Sequence, residues 1–177
     1  MGRGLMMLVA GVILAAPLAA SAQETAPACG PTQGPLPVEF GGWPTKVELA
    51  SADRATGLAA ATLRIGQAVR ARLHPTPTVA YLVQPEKPGG SVSRGGMFAL
   101  TIDRAGTYAI ALGSGAWIDV LKDGAPVESA AHGRGPACST IRKVVDFSLT
   151  PGRYVIQVSA NAETELELLV SLRPSPG

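Results

Sequence analysis

Few residues in this chain of 177 could do chemistry. Two histidines, His74 and His132, and two cysteines, Cys29 and Cys138, are the whole supply of imidazole and thiol groups. His132 stands six residues before Cys138 in "HGRGPACSTIRK", His132 to Lys143. The metal chemistry open to such a set is a two-histidine, one-carboxylate iron site, with Glu86, Asp119 or Glu128 as third ligand. No H-x-E or H-x-x-x-H spacing links the histidines, so exposed loop histidines are the expectation. Ser139 could act as a nucleophile near His132, but no G-x-S-x-G elbow surrounds it. A thiolate at Cys138 would have to be reduced.

Asp119, Asp123 and Asp146 are the carboxylates from which a glycosidase pair could be drawn. Asp119 alternates with Trp117 and Leu121 along one stretch, which sets a carboxylate on the same face as a large aromatic ring. The plainer reading is a sheet-end aspartate satisfied by Arg142 or Lys143. Trp43 and Trp117 could make an aromatic platform for a glycan. The plainer reading packs Trp117 in the core and makes Trp43 a cap contributed by the arm. The glycines of "GSVSRGG" follow no strand-to-helix context and form no phosphate cradle. The candidate binding surface is therefore Trp43, Trp117, Asp119 and His132. No catalytic residue, cofactor or metal is assigned, and His74, His132 and Glu128 are the runner-up metal set.

The segments that would carry these residues begin with "MGRGLMMLVAGVILAAPLAASAQ". Arg3 gives a positive n-region, Leu5 to Ala20 an apolar stretch, and Ala20-Ser21-Ala22 a small-residue cleavage site. This is the anatomy of a secretory signal peptide over residues 1–22, cut before Gln23. A retained anchor fits less well, because a spanning helix needs about 20 apolar residues. No leucine stands three residues before Cys29, so lipidation there is not expected. The mature protein is expected to be periplasmic or secreted, with no membrane span after cleavage.

The formal charge is +2, and residues 1–22 take only Arg3 from the 15 basic side chains and none of the 13 acidic ones. No basic block remains to bind nucleic acid by counterion release. Two cysteines exported into an oxidising compartment are expected to pair as Cys29–Cys138. Such a bond closes a loop of about 110 residues, for which chain entropy gives roughly 4 to 5 kcal/mol.

Residues 23–57 read as an arm and lead-in, with prolines at 27, 31, 35, 37 and 44 excluding a regular helix. A short strand is expected over Leu58 to Arg64. From there the hydrophobic period is two. Val69, Ala71 and Leu73 face one way and Arg70 and Arg72 the other. Thr78 to Val83 reads as a further strand. Phe98, Leu100 and Ile102, then Tyr108, Ile110 and Leu112, alternate in the same manner. "AWIDVLKDG" ends in Asp123-Gly124, a hairpin signal. "RKVVDFSLT", "RYVIQVSA" and "ELELLVSL" complete the set. Short alternating strands between glycine and proline turns predict an all-β fold, a single jelly-roll-like β-sandwich over residues 58–172, with a disordered tail over 173–177. Phe98, Leu100, Gly106, Tyr108 and Ile110 are echoed by Phe147, Leu149, Gly152, Tyr154 and Ile156, as if one β-hairpin occurred twice.

Over roughly Leu58 to Leu172, "IGQAVRARL", "AGTYAIALGSGAWIDVLKDG" and "FSLTPGRYVIQVSA…LELLVSL" resemble the bacterial pre-peptidase C-terminal domains. That resemblance implies a jelly-roll-like sandwich of the kind appended to exported enzymes, here without room for a catalytic domain. Through "PEKPGGS", "AGTY", "AWIDV" and "IRKVV" the whole chain also resembles small exported bacterial proteins labelled homogentisate 1,2-dioxygenase. True members of that enzyme family are much longer and hold Fe(II) with two histidines and a carboxylate. Here the resemblance could enlist only His74 and His132.

The functional expectation is an exported, non-catalytic β-sandwich module that binds a protein partner or an envelope polymer through strand edges and loops. The alternative is a small metal-dependent exported enzyme. A crowded polar pocket around His132 and Asp119 would favour the enzyme, and an exposed Trp43 would favour the binding module.

Overall fold

The computed structural model describes Cys29 and residues 35–174. The expected signal peptide, residues 1–22, and most of the following arm lie outside the described residues. Among the described residues eleven strands form two sheets. They are β1 (Lys46–Ala50), β2 (Ala68–Arg72), β3 (His74–Pro75), β4 (Arg94–Ile102), β5 (Gly106–Leu112), β6 (Trp117–Lys122), β7 (Ala125–Val127), β8 (Ala131–Gly133), β9 (Lys143–Leu149), β10 (Gly152–Asn161) and β11 (Glu165–Leu172). One sheet runs β1-β2-β11-β5-β9-β8 and the other β3-β4-β10-β6-β7. The protein is an all-β sandwich. Among the described residues no helix is long and apolar enough to cross a membrane.

The two-residue alternation does what a half-buried strand requires. Val69, Ala71 and Leu73, Phe98, Leu100 and Ile102, and Tyr108, Ile110 and Leu112 all enter one core between the sheets. Val145, Phe147 and Leu149, Tyr154, Ile156 and Val158, and Leu166, Leu168 and Val170 fill it from the remaining long strands. Asp123-Gly124 makes the hairpin turn between β6 and β7, with φ of 51° and 79°. Both central residues then lie in the left-handed region that a tight hairpin of this kind demands.

The repeated motif is not a repeated hairpin. β4 and β5 belong to different sheets, as do β9 and β10, so each copy is an arch across the sandwich. The copies pair with each other instead, β4 on β10 and β5 on β9. The tyrosine explains the arch. Tyr108 donates its hydroxyl to the Arg104 carbonyl at 2.9 Å, and Tyr154 donates to Thr150 at 2.8 Å, each four residues upstream. A tyrosine corner of this kind ties the incoming turn to the outgoing strand while its ring stays in the core.

Three further expectations change. Leu58 to Arg64 is not a strand. A 3-10 turn covers Ala55–Ala60, and Thr62 makes only an isolated bridge to Ala99. Thr78 to Val83 is not one either, because Gln157 takes over its backbone. The Gln157 Oε1 accepts from the Leu82 and Val83 amides and its Nε2 donates to the Val83 carbonyl. This segment lies over the outer face of β10 as a cover. The lead-in also holds a true strand, since β1 pairs in parallel with β2. The sandwich thus begins before Leu58.

The arm packs where the outer face of the larger sheet is made of small side chains. Ala68, Ala109 and Ala111 leave a shallow bed that Phe40 and Trp43 fill, together with Ile141, Val144 and Leu169. Cys29 is bonded to Cys138, with Cα atoms 5.2 Å apart. This disulfide fits an oxidising compartment outside the cytoplasm. At the other end, Arg173 is no loose tail. It pairs with Glu39 at 2.7 Å and Asp146 at 3.1 Å.

Candidate functional site

A cleft of about 370 Å³ opens at the edge where β6 and β7 stand across from β9 and β8. Ile118, Val127, Val145 and Phe147 give it an apolar floor, and Glu86, Asp119, Glu128, His132 and Lys143 carry its polar groups. Its size lies within the range of small-ligand sites.

Each polar group is placed by strand parity. Ile118 and Val120 enter the core, so Trp117 and Asp119 stand on the opposite face of β6. Asp119 Oδ1 accepts from the Trp117 indole Nε1 at 3.0 Å. Asp119 Oδ2 is buried and accepts no hydrogen bond among the described residues. Burial raises the Asp119 carboxyl above the ordinary carboxylate range, the Trp117 N–H opposes that, and the Glu86 charge adds to it. Tyr81 stands close enough to feel Asp119, and burial pushes its phenol up to about 12. It stays neutral and donates to the Val158 carbonyl.

Lys143 shares the inward parity of Val145 and Phe147, which puts a lysine at the open end of a core row. Its Nζ crosses to the Ala116 carbonyl at 2.9 Å and lies 5.3 Å from the Trp117 ring centre. Lys87 lies 4.5 Å from the same ring, its backbone held by the Ser159 hydroxyl. Desolvation, and then the neighbouring Lys87, lower the Lys143 pKa. The ring of Trp117 is thus engaged by two ammonium groups.

The structure brings together Trp117, Asp119 and His132, with Glu128 and Glu86 beside them. It does not bring Trp43. That residue is 2% exposed and donates its indole N–H to Thr140 Oγ1 at 2.8 Å, so it is packing and not a platform. His74 stands apart too, on β3 with its Nε2 2.9 Å from the Ser51 carbonyl. The His74–His132–Glu128 set is therefore not assembled, because β3 ends the smaller sheet beside β4 whereas β8 borders the cleft. Among the described residues no group of three or more histidine, cysteine, aspartate or glutamate side chains could hold a metal. Asp123 sits in a turn and Asp146 pairs with Arg173, so the three aspartates occupy three places. The Ser139 hydroxyl donates to the Pro136 carbonyl and accepts from the Ile141 amide, which makes it a turn residue.

Asp119 is not satisfied by Arg142 or Lys143, as the plainer reading of a sheet-end aspartate expected. The Lys143 ammonium donates to the Ala116 carbonyl, and the donor to Asp119 is the Trp117 indole N–H. His132 is not in a loop but at the centre of β8, opposite Val145. The floor and the inward Lys143 were readable from the alternation Lys143-Val145-Phe147. The approach of Glu86 and Lys87 was not, because the cover segment that carries them is placed by Gln157 from more than 70 residues away. No family model matches this chain, and no curated protein matches it.

The pKa of Asp119 yields a prediction. A carboxyl raised by folding makes the native state bind more protons than the unfolded state, so stability falls as pH rises from the ordinary value of 3.8 through the raised one. Asp119→Asn keeps an acceptor for Trp117 and removes the charge. At pH 7 the variant should melt roughly 1–3 °C above the parent. The gain should vanish when both are scanned below the ordinary carboxylate value. A loss of stability at pH 7 would show that the charged form is already compensated.

Proposed function

We propose that this protein is an exported binding module, of the periplasm or cell surface, that holds an extended segment of a partner protein along β8, with one side chain of that segment in the adjoining cleft. The observation that carries this reading is the state of the four sheet edges. β3 and β7 contain Pro75 and Pro126, and β1 carries Lys46 and Glu48, which are devices that discourage strand addition. β8 is Ala131-His132-Gly133, exposed throughout, with neither a proline nor a charged side chain, and its shortness is its one guard. Addition of a strand at an open edge is a common way to bind extended peptides, with a neighbouring pocket giving selectivity. Only a short strand could be added, of three or four residues.

A protein partner suits the site better than a glycan polymer. Sugar stacking needs a free aromatic face, and here Trp43 is buried while Trp117 is attended by Lys87 and Lys143. The enzyme alternative gains from the meeting of Asp119 and His132 in one cleft. It lacks the hydrogen-bonded chain of nucleophile, base and orienting group that such chemistry uses, since Asp119 is bound to Trp117 alone.

The test is selection of random displayed peptides on the immobilised, oxidised protein. Ser129 lines the cleft and is exposed, so Ser129→Trp should fill the mouth without touching the core. Enriched peptides should bind the parent at least tenfold more tightly than this variant. No enrichment, or equal binding to both proteins, would overturn the reading. Concentration-dependent dimers lost on Ser129→Trp would replace the peptide with a second copy of the chain. Stoichiometric iron or zinc in natively purified protein, lost on His132→Ala, would favour the enzyme.

A further inference from the structure

We infer that the cleft beside β8 selects a cation on an apolar stem, the chemistry of a lysine or arginine side chain or of an alkylammonium ion. This rests on the reading of the cleft as a binding site and names what enters it.

The inventory of charge in the cleft is unbalanced. Glu86, Asp119 and Glu128 all line it, and none of them makes an ion pair among the described residues. Elsewhere among the described residues Glu39, Glu48, Asp53, Asp146, Glu165 and Glu167 each have a lysine or arginine within 4.0 Å, while Asp103, Asp123 and Glu163 are unpaired and exposed. The two nearby lysines do not fill the gap. They keep their charge, but they are two against three carboxylates, and both lie over the Trp117 ring rather than beside a carboxylate, with Lys143 also donating to the Ala116 carbonyl.

Asp119 makes the deficit specific. One oxygen has the Trp117 N–H, and the other is out of water with no donor. A buried acceptor left unpaired is costly, and native proteins rarely keep one without a reason. The Glu86 charge acts on it with the same sign. A cation seated in the cleft would supply the missing countercharge through space and need not touch Oδ2.

The floor sets the rest of the ligand. Ile118, Val127, Val145 and Phe147 offer apolar surface below an acidic rim. A bare ammonium or a metal ion would leave that floor in water. A side chain whose methylene stem lies on the floor while its charged head stays at the rim uses both. An anionic ligand would meet three carboxylates against two ammonium groups.

The site carries its own reporter. The Trp117 indole N–H donates to Asp119, whereas the Trp43 indole N–H donates to Thr140 beneath the arm. In a ¹H–¹⁵N spectrum of the intact, oxidised protein, n-hexylammonium chloride should move the Trp117 indole signal and leave that of Trp43 in place. 1-Hexanol should bind at the same signal at least tenfold more weakly, and sodium hexanoate more weakly still. In Asp119→Asn the preference for hexylammonium over hexanol should fall below threefold while hexanol binding persists.

Equal affinities for hexylammonium and hexanol would overturn the charge preference and leave the cleft standing as an apolar binding site. Tighter binding of hexanoate would assign the site to Lys87 and Lys143 instead. Sodium chloride reproducing the shift at equal ionic strength would reduce it to screening and overturn the inference. If no probe moves Trp117, the inference falls, and selected peptides sensitive to Ser129→Trp would still decide the wider reading separately.

Discussion

Replacing Trp43 with alanine should lower the unfolding free energy by about 3–5 kcal/mol, the usual cost of truncating a buried large aromatic. Trp43 is almost fully enclosed, and its ring fills a bed of small side chains, Ala68, Ala109 and Ala111, that cannot close over the space it leaves. The substitution also strips Thr140 of its indole donor. Urea denaturation should show a lower midpoint with an unchanged slope, since the same core unfolds. A loss below about 1 kcal/mol would mean that the arm adds little to the fold.

Cys138→Ser should cost about 2–5 kcal/mol, and the reduced parent should lose a comparable amount. The bond joins positions 109 residues apart, a span long enough for the entropic gain to be near its upper range. Thiol labelling of denatured, unreduced protein should find no free cysteine. The two changes should not be additive. Trp43 is bound to Thr140, two residues beyond Cys138, so both act on the joint between the arm and one loop. A double variant should therefore lose less than the sum of the single losses.

The main strands were legible because one face of each is buried and the period of two is unbroken, as in Phe98-Leu100-Ile102. The hairpin at Asp123-Gly124 was legible from its turn residues alone. The arches were not, because the motif Tyr-x-Ile after a glycine turn is the same whether the return strand pairs with its predecessor or crosses to the other sheet. The tyrosine hydroxyl that separates the two cases bonds only in three dimensions. Thr78 to Val83 has the composition of a strand, but its amides find Gln157 rather than a ladder. At the site, Trp117 and Asp119 were legible as a pair two residues apart. Trp43 misled because an aromatic residue in a proline-rich arm looks exposed until the alanine bed beneath it is known. The open edge at His132 was hidden by a three-residue strand too short to show any period.

The central claim is that β8 and its cleft form the binding edge, and amide hydrogen exchange tests it most directly. The Asp146 carbonyl faces β8, since it accepts from the Ala130 amide, and Ala131 stands opposite Asp146 as Gly133 does opposite Val144. Those two amides therefore point into β9, and by alternation the His132 amide faces the open edge. With a selected peptide bound, exchange at the His132 amide should slow at least tenfold, while β1, β3 and β7 stay unchanged. Protection at another edge, or none at β8 under saturating peptide, would contradict the account.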